Sequence, residues 1–344
     1  MRKKSMKLLI IHEIFYPEFS GGAEKILLEI ASRLRKEHKI VLITSGNPSI
    51  KYFNKIRTVR VPVHRMLLNI FALPYILAYG KKFDVLIGNT YHSALPVAIA
   101  SLLLKKPAIC IVHGAYGKKW LEMKGFMGLA AILFEKIIFK LPFSRFVFFS
   151  NFALHSAMKL GVNRKKCITI PPGIDIKKFK RRKKERFVLF VGRLEKQKGI
   201  DMVIKVAKIL PSVKFIIVGK MREKINEFPK NVQWRGFISE KELTRLYESA
   251  LIFFLPSRAE TLGYSILEAM AARCAIVSSV PLTFYGYKIQ NKDKVEDIAR
   301  KIKEMIESKK TRKLGEKNRR IVKNCTWRNF IATFNKLINS LTKK

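Results

Sequence analysis

Short apolar segments alternate with longer helical segments along almost the whole chain, and this alternation constrains the fold more than any other feature. In the first half, the strand-like segments are KLLIIHEIF, HKIVLITS, FDVLIGN, PAICIVHG, SRFVFFSN and KCITIPPG. The pattern restarts with RFVLFVG, KFIIVGK, LIFFLPS and CAIVSSV. Strands that are apolar on both faces are typical of a parallel sheet covered by helices on each side. The sequence therefore predicts an α/β protein made of two doubly wound halves.

The domain boundaries follow from length and from one charge run. A chain of 344 residues is long for a single core and fits two domains. The basic run KKFKRRKKER at 177–186 separates the two series of strands, and because like charges repel and stay solvated, we predict a linker there. The predicted domains are 1–176 and 187–325. Residues 326–344 contain a predicted amphipathic helix, TWRNFIATFNKLINSL, which could cross back to the N-terminal domain.

The charge balance is strongly basic, with 69 Lys and Arg against 25 Asp and Glu and a formal net charge of +44. Such a surface attracts phosphate, whether in nucleic acid, in anionic lipid headgroups or in phosphorylated substrates. The chain lacks the interleaved aromatic and basic residues that are typical of RNA-binding modules. Charge alone therefore motivates a nucleic-acid-binding hypothesis, and we expect no specific nucleic-acid partner.

The sequence predicts no metal site. The sequence contains no Asp-x-Asp pair of the metal-binding kind, and the cysteines form no paired motif. Widely spaced thiols, most of them in or beside apolar runs, are typical of a reduced cytosolic protein. The cysteines are Cys110, Cys167, Cys274 and Cys325.

Two apolar segments raise the question of a membrane. The opening MRKKSMKLLIIHEIFYPEF superficially resembles a signal peptide, but its apolar core is short and His12 and Glu13 follow at once. Because it also lacks a small-residue cleavage site, we predict a first β-strand that is preceded by basic residues. The segment MLLNIFALPYILAYG at 66–80 is shorter than a bilayer span and contains Asn69 and Pro74. It either packs against the core, which we favour, or lies in a membrane interface.

A first candidate site lies in FVLFVGRLEKQKGID, residues 187–201. In open parallel sheets, ligands bind beyond the carboxyl ends of the strands, near helix N-termini. Here a strand is followed by a turn at Gly192, then by Arg193 and Lys198, then by a helix, so two cations could meet a diphosphate. The glycine spacing matches neither a Walker loop nor a dinucleotide fingerprint. About one residue in five is basic, so chance placement explains the pattern equally well.

A second candidate is the pair of carboxylates in PSRAETLGYSILEAMA, residues 256–271. Glu260 falls in a predicted loop after a buried strand, and Glu268 falls in the helix that follows. The structural explanation is a carboxylate satisfied by a neighbouring backbone or by Arg258 or Arg273, and for isolated glutamates we favour it. The functional explanation is that each accepts hydrogen bonds from sugar hydroxyls, as carboxylates do when they grip a ribose.

Two weaker signals lie in the first half. FYPEFSGGAEK places Gly21 and Gly22 after the first strand and before a helix, where a glycine pair permits a sharp turn or close approach to a ligand. His12 and His113 lie at the apparent ends of strands. A lone histidine is more often structural than catalytic, but a strand-end position favours function.

Taken in order, these motifs resemble the retaining glycosyltransferases of family 4, which have the two-domain GT-B fold. The matching stretches cover most of the chain: GGAEK, FFSNFALHSAMKLGVNRKKCITIPPGIDIKKF, VGRLEKQKG, and WRGFISEKELTRLYESALIFFLPSRAETLGYSILEAMA with its two glutamates. The resemblance implies two Rossmann-like domains that face each other across a cleft. It also favours the functional explanation of the glutamates.

The resemblance implies roles for individual residues. Arg193 and Lys198 would neutralise the donor diphosphate. Glu260 would contact hydroxyls of the transferred sugar, and Glu268 would bind the nucleotide ribose. The other residues that the resemblance places at the donor or the reaction centre are Gly21, Gly22, Gly263 and His113, with His113 facing the sugar.

The chain departs from the family pattern in three places. Arg273 and Ala275 stand where the family usually has Gly and Pro. Leu262 and Gly263 followed by Tyr264 replace its usual Phe and Gly after the first glutamate. The segment SSVPLTFYGYKIQNKDKVEDI is shorter than expected and lacks the Gly-Gly-x-Pro-Glu loop whose helix start would meet the diphosphate.

The sequence thus predicts a retaining, metal-independent enzyme without a cofactor, which transfers a sugar from a nucleotide-sugar donor to a lipid-linked or cell-envelope glycan. Acceptor contacts are expected at 46–80 and 115–140. We expect a cytoplasmic protein, peripheral on the anionic inner face of the cell membrane. The alternatives are a non-catalytic sugar-nucleotide or glycan-binding homologue, motivated by the short loop, and a basic nucleic-acid-binding protein. A GT-B sugar epimerase shares the architecture, but the order of the motifs fits it less well.

Overall fold

The structure is a computed structural model that describes residues 5–18, 21–290 and 293–342. The chain divides into two units. Unit 1 comprises Met1–Pro172 together with Trp327–Lys344, and unit 2 comprises Gly173–Thr326.

The sheet of unit 1 has eight strands in the order β3-β4-β2-β1-β5-β6-β7-β8. Only β3 pairs antiparallel, with β4; the other described pairings are parallel. Every residue of β5 and β6 is buried, as expected of strands with helices on both faces. The strands are β1 (Lys7–Ile14), β2 (Lys39–Ser45), β3 (Tyr52–Phe53), β4 (Ile56–Val61), β5 (Val85–Asn89), β6 (Ala108–Val112), β7 (Arg145–Phe148) and β8 (Cys167–Thr169).

Six helices connect these strands: α1 (Gly22–Leu34), α2 (Leu68–Gly80), α3 (Tyr91–Leu104), α4 (Lys119–Lys124), α5 (Gly128–Lys140) and α6 (Asn151–Met158). The segment 66–80, which we expected either in the core or at a membrane, contains the whole of α2. Its Leu68, Ala72 and Ile76 belong to the buried core, while Ile70 and Phe71 remain exposed. In the part of the chain that the structure describes, no helix is long and apolar enough to cross a membrane.

Unit 2 has a six-stranded sheet in the order β11-β10-β9-β12-β13-β14, with parallel pairings throughout. Its strands are β9 (Glu185–Val191), β10 (Lys214–Val218), β11 (Val232–Trp234), β12 (Ala250–Leu255), β13 (Ala275–Ser278) and β14 (Gly286–Lys288). Its helices are α7 (Ile200–Ile209), α8 (Glu240–Ser249), α9 (Tyr264–Ala271), α10 (Val295–Glu307) and α11 (Thr311–Val322). The prediction of two parallel-sheet α/β domains is therefore confirmed.

The last helix, α12 (Trp327–Thr342), packs in unit 1. Its Phe330 and Phe334 are fully buried and stack on each other, with ring centroids 5.6 Å apart. Its Asn335 accepts a hydrogen bond from His38, which follows α1, at 2.9 Å. The helix thus completes the core of the unit that contains the beginning of the chain.

The basic run at 177–186 is mostly exposed, but it does not lie between the two units as the predicted linker would. Phe179 is buried, and the Glu248 carboxylate accepts hydrogen bonds from Lys180 N at 2.5 Å and Arg182 Nε at 2.7 Å. The Lys184 ammonium donates to the carbonyl of Ala272 at 2.7 Å. A buried acid and backbone carbonyls offset the repulsion between the cations, so the run packs on unit 2, and the chain divides between 172 and 173.

Candidate active site

The loop after β9 carries the two predicted phosphate cations. Arg193 follows the strand closely, and Lys198 ends a 3-10 helix, Lys196–Lys198, just before α7. The Arg193 guanidinium is half-exposed and lies 2.9 Å from the Glu195 carboxylate. Both cations therefore lie at the carboxyl end of a parallel strand, where sheets of this kind bind their ligands.

Gly199 determines how α7 begins. Its φ is +79°, in the left-handed region, and a Cβ built there would lie 2.1 Å from the carbonyl oxygen of Pro256. Only glycine meets both conditions. The close approach brings the loop after β9 against the loop after β12.

Hydrogen bonds tie these two loops together. The Gln197 carbonyl accepts from Arg258 N at 2.9 Å and from Ser257 Oγ at 3.0 Å. The Arg258 guanidinium also donates to both carboxylate oxygens of Asp201, at 2.7 and 2.6 Å. These bonds raise the pKa of Arg258. Since β9 and β12 are neighbouring strands, their two loops form one rigid edge.

This edge places Lys198 against Glu260. The Lys198 ammonium donates a hydrogen bond to the Glu260 carboxylate, and the two side chains are 19% and 15% exposed. The sequence assigned these residues to different parts of a donor, but it did not show that they contact each other. Their opposite charges offset the desolvation of both, so a cation and a carboxylate are available at one point of the edge.

Glu268 is one helical turn into α9 and is 8% exposed. Its carboxylate accepts a hydrogen bond from the hydroxyl of Tyr247, at 3.2 Å. Burial and the adjacent Glu268 raise the pKa of Tyr247 well above its ordinary value. The tyrosine therefore remains a hydrogen-bond donor that orients the carboxylate.

The arginines that we considered as partners of the two glutamates pair elsewhere. Arg258 binds Asp201, as described above, and Arg273 Nε donates to Glu316 at 3.2 Å. Glu260 and Glu268 accept hydrogen bonds from Lys198 and Tyr247 instead. The sequence missed the actual partners because Lys198 lies 62 positions and Tyr247 lies 21 positions away along the chain.

Gly263 and the shortened segment complete the edge. Gly263 has φ +66° and precedes the first residue of α9. Residues 279–285, all of them described, form no helix between β13 and β14. Ser279 Oγ instead donates to the carbonyl of Ser257 at 2.6 Å, so the short connection is tied to the loop that leads to Glu260.

In unit 1, His113 follows β6 and is held by Asn89, the last residue of β5. The His113 Nε2 lies 2.9 Å from Asn89 Oδ1, and because an amide oxygen only accepts, the histidine donates from Nε2. The ring also meets Phe149 edge-on, with centroids 4.9 Å apart. Burial, together with the nearby His12, lowers the pKa of His113 to about 3. The imidazole is therefore neutral at physiological pH.

A buried polar chain links this histidine to the GGAEK motif. His12 is fully buried, with Nδ1 2.8 Å from the Asn89 carbonyl and Nε2 3.3 Å from Glu24 Oε1. Burial is the largest single influence on Glu24 and raises its pKa, but the hydrogen bond and charge of His12, a backbone hydrogen bond and the nearby His113 together outweigh it, so the pKa is lowered overall. Our sequence analysis did not select Asn89 or Glu24. The signal for Asn89 was a polar residue that ends an apolar strand.

Gly21 and Gly22 begin α1, which also carries Glu24. Gly21 is extended, with φ −136°, and a Cβ built at Gly22 would meet no atom within 4 Å. In the part of the chain that the structure describes, packing therefore does not require glycine at position 22. Phe19 and Ser20 of the same motif lie outside the described residues.

The described residues contain no group of three or more His, Cys, Asp or Glu side chains that could hold a metal ion. The site residues fall into two sets. Unit 1 contains Gly21, Gly22 and His113, and unit 2 contains Arg193, Lys198, Glu260, Gly263 and Glu268.

Comparison with protein families gives two matches that together cover most of the chain. Residues 20–178 match the model "Glycosyltransferase Family 4", and residues 173–325 match "Glycosyl transferases group 1". The chain belongs to glycosyltransferase family 4. The match of the second model covers every candidate residue of unit 2, and the two models meet where the units divide.

Relatives of the chain are named as glycosyltransferases, and a solved structure shares its fold. The uncharacterized glycosyltransferase MJ1069 of Methanocaldococcus jannaschii is 24% identical, over 99% of this chain and 100% of its own. The processive diacylglycerol alpha-glucosyltransferase of Acholeplasma laidlawii is 31% identical over 27% of this chain and 31% of its own. The crystal structure of Anabaena Alr3699/HepE with UDP-glucose superposes with a TM-score of 0.80 at 18% identity, covering 98% of this chain and 100% of HepE. The fold is GT-B.

Proposed function

We propose that this glycosyltransferase transfers a sugar from a nucleoside-diphosphate sugar to an acceptor hydroxyl and retains the anomeric configuration. The observation that carries the proposal is the Lys198–Glu260 pair, at the edge of unit 2 formed by the loops after β9 and β12. Arg193 lies on the same loop as Lys198, and Glu268 lies in α9, the helix that follows Glu260. A diphosphate needs cations, the transferred sugar needs a partly exposed carboxylate, and the ribose needs a second carboxylate. This edge supplies all three.

In the proposed complex, Arg193 and Lys198 neutralise the diphosphate, and the Glu268 carboxylate accepts from two ribose hydroxyls while Tyr247 orients it. Glu260 exchanges part of its contact with Lys198 for hydroxyls of the transferred sugar. Gly22 lets the start of α1 approach the phosphates, because nothing in the protein lies within 4 Å of where its side chain would be. The neutral His113 faces the sugar.

Transfer then proceeds on one face of the sugar. The bond between the anomeric carbon and the diphosphate oxygen breaks, and its electron pair stays with the nucleoside diphosphate. The acceptor oxygen attacks from that same face, and its proton passes to the leaving diphosphate. Fixed cations stabilise the charge that develops on the leaving group, as preorganised electrostatic groups do in general. No step requires a metal ion, so we propose transfer without one.

The donor to test first is UDP-glucose, because HepE, which has the same fold, binds it. Slow hydrolysis of UDP-glucose and of other nucleotide sugars should be measured in excess chelator. Release of nucleoside diphosphate that survives the chelator supports the proposal. Activity that disappears and returns with magnesium or manganese would contradict the metal-independent step. Tight donor binding without any turnover would instead favour the non-catalytic homologue.

We propose a lipid-linked or envelope glycan as acceptor, on an anionic membrane surface at the cytoplasmic side. The Acholeplasma relative is named for a diacylglycerol acceptor. Unit 1 exposes large apolar side chains at Phe126 (86%), Met127 (75%) and Leu133 (60%), within a segment that also carries Lys124 and Lys136. Apolar insertion and electrostatic attraction are each weak alone and together suffice for peripheral binding.

Sedimentation with liposomes tests the membrane proposal. Binding should require anionic lipid, weaken as salt rises, and fall in Phe126→Ser, with the buried core unchanged because the side chain is outside it. Equal binding to neutral and anionic vesicles would contradict the proposal that electrostatic attraction contributes to membrane binding. RNA binding that persists in high salt would favour the nucleic-acid hypothesis instead.

A further inference from the structure

Glu135 is a carboxylate buried in a mostly apolar helix, and the proposed reaction does not yet use it. It lies on α5, whose sequence is GLAAILFEKIIFK, and it is only 1% exposed. Removing a carboxylate from water is costly unless hydrogen bonds offset the loss. A leucine or methionine would pack this helix at lower cost, so the carboxylate contributes something that an apolar side chain does not.

Besides the Tyr91 hydroxyl, its partners are two successive backbone groups. Glu135 Oε1 accepts from Tyr116 N at 3.0 Å, and Oε2 accepts from Gly117 N at 2.8 Å. Gly117 has φ +52°, in the left-handed region that favours glycine. Hydrogen bonds to an ionised acceptor are stronger than neutral ones, so the side chain holds this turn firmly.

A second side chain holds the same loop from another helix. The Tyr91 hydroxyl, on α3, donates to the carbonyl of Gly114. Burial and the neighbouring Glu135 raise the pKa of Tyr91 well above its ordinary value, so the hydroxyl keeps its proton. The loop from His113 to Gly117 is thus fixed between α3 and α5, and its first residue is the one that Asn89 binds.

We propose that Glu135 is a positioning residue for sugar transfer, which acts by fixing the loop 113–117 so that the His113 ring is held in the orientation needed at the sugar. Glu135 is enclosed and its carboxylate is occupied by the loop, so it acts through His113 and not on the substrate. The proposal rests on the function proposed above, since it uses the role given there to His113.

The test compares Glu135→Gln with Glu307→Gln. The first keeps the size of the side chain but turns an amide N–H toward one of the two backbone donors. The second makes the same charge change at an exposed position at the end of α10. In Glu135→Gln we expect kcat for UDP-glucose hydrolysis to fall at least tenfold, while the donor KM and UDP affinity stay within twofold, because the contacts of Glu135 described above involve no residue assigned to the nucleotide. The control should match the wild type.

A second readout is independent of turnover. The ring nitrogen signals of His113 in ¹⁵N-labelled protein, assigned by their loss in His113→Asn, should shift in Glu135→Gln and stay in place in Glu307→Gln. If Glu135→Gln does not fold, Tyr91→Phe is the alternative variant, because it removes the hydrogen bond from α3 to the Gly114 carbonyl. We expect it to lower kcat three- to tenfold and to shift the same His113 signals. Unchanged kcat and unchanged His113 signals in a folded variant would overturn the proposal. If the wild type hydrolyses no nucleotide sugar, the function fails, and the His113 signals still decide whether Glu135 positions the ring.

Discussion

Glu260 and Glu268 lie eight positions apart in the chain, but their surroundings differ at the level of single residues. Glu260 is bonded to a flexible cation and is partly exposed, so its contact can be exchanged for a ligand. Glu268 is more enclosed and is oriented by a neutral tyrosine. The proposed roles, sugar for the first and ribose for the second, follow this difference.

The two glutamates should therefore separate in binding and turnover. We expect Glu268→Gln to weaken UDP binding by about 1 to 3 kcal/mol, the range for a charge-assisted hydrogen bond. Glu260→Gln should leave UDP affinity unchanged or slightly higher, because Lys198 is released toward the phosphates, and its cost should appear in kcat. Calorimetry with UDP and steady-state rates measure both. If both variants bind UDP normally but melt several degrees lower, the glutamates are structural.

His113 makes stability depend on pH. The folded state lowers its pKa to about 3 from an ordinary value of 6.5. Between these values the unfolded chain binds the proton and the folded chain does not, so stability is present above about pH 6.5 and falls as the pH drops. From pH 7 to pH 5 we expect this group to account for a loss of about 1 to 2 kcal/mol.

Urea unfolding at pH 7 and pH 5 provides the measurement for His113. His113→Asn should remove this part of the pH dependence. His155→Asn, a change at an exposed position of α6, is the matched control and should retain it. A His113→Asn variant with the same pH dependence as the wild type would show that another group is responsible.

The residues that the sequence selected all lie at or close beyond strand ends or at helix starts, because the carboxyl edges of parallel sheets are readable from the order of strands. What the sequence did not contain is which of them contact each other. Lys198 and Glu260 meet across 62 positions, and Glu135 reaches a loop 18 positions away. The only sequence signal for Glu135 was that it is a single acid inside an apolar helical segment.

At the scale of elements, the strands in the middle of each sheet were predictable, and most of those at or next to an edge were not. Each strand-like segment that we identified corresponds to a strand of the structure, including β8 at one edge of the first sheet. The missed strands, β3, β4, β11 and β14, lie at or next to the edges of the two sheets. Strands in such positions are short or carry charged residues, so they lack the continuous apolar signal. IRTVRV of β4, which lies next to the edge strand β3 and contains two arginines, is an example.

The turn after α9 explains one departure from the family pattern and allows a test. Arg273 stands where the family usually has glycine, and its φ is +66°. Such a conformation costs an L-residue about 1 to 2 kcal/mol. Arg273→Gly and Arg273→Ala both lose the ion pair with Glu316, so their difference isolates the backbone term. We expect the glycine variant to be more stable than the alanine variant by about 1 kcal/mol.

Thermal or urea unfolding of the two variants decides this. The same pair of substitutions at Lys303, an exposed position inside α10, should give the opposite order, with alanine ahead by about 1 kcal/mol. Equal stabilities at position 273 would mean that the turn relaxes without cost.

At the scale of the whole molecule, α12 links the stability of unit 1 to the support of His113, the residue of this unit that we propose faces the sugar. Phe330 of this helix lies 6.3 Å from Phe149, centroid to centroid, and Phe149 is the ring that meets His113. The helix therefore supports the histidine through one intervening side chain, as well as covering α1.

We expect Phe334→Ala to destabilise unit 1 by about 3 to 5 kcal/mol, as for other fully buried phenylalanines. Hydrogen exchange followed by mass spectrometry should show faster exchange in peptides of β1 and α1, with β12 and β13 unchanged because they belong to unit 2. Lys336→Ala, an exposed change on the same helix, is the control. Uniform acceleration in both units would contradict the assignment of α12 to unit 1.

The contact between His38 and Asn335 spans 297 positions of the chain, and this has a consequence for biosynthesis. On the ribosome, β1 to β8 emerge long before residues 327–342, because the whole of unit 2 is translated in between. At roughly 5 to 20 residues per second, that interval is on the order of ten seconds. During it the apolar surface around Phe149 is exposed to chaperones and to other nascent chains. Unit 1, most of which is translated first, therefore completes its fold only after α12 has been synthesised.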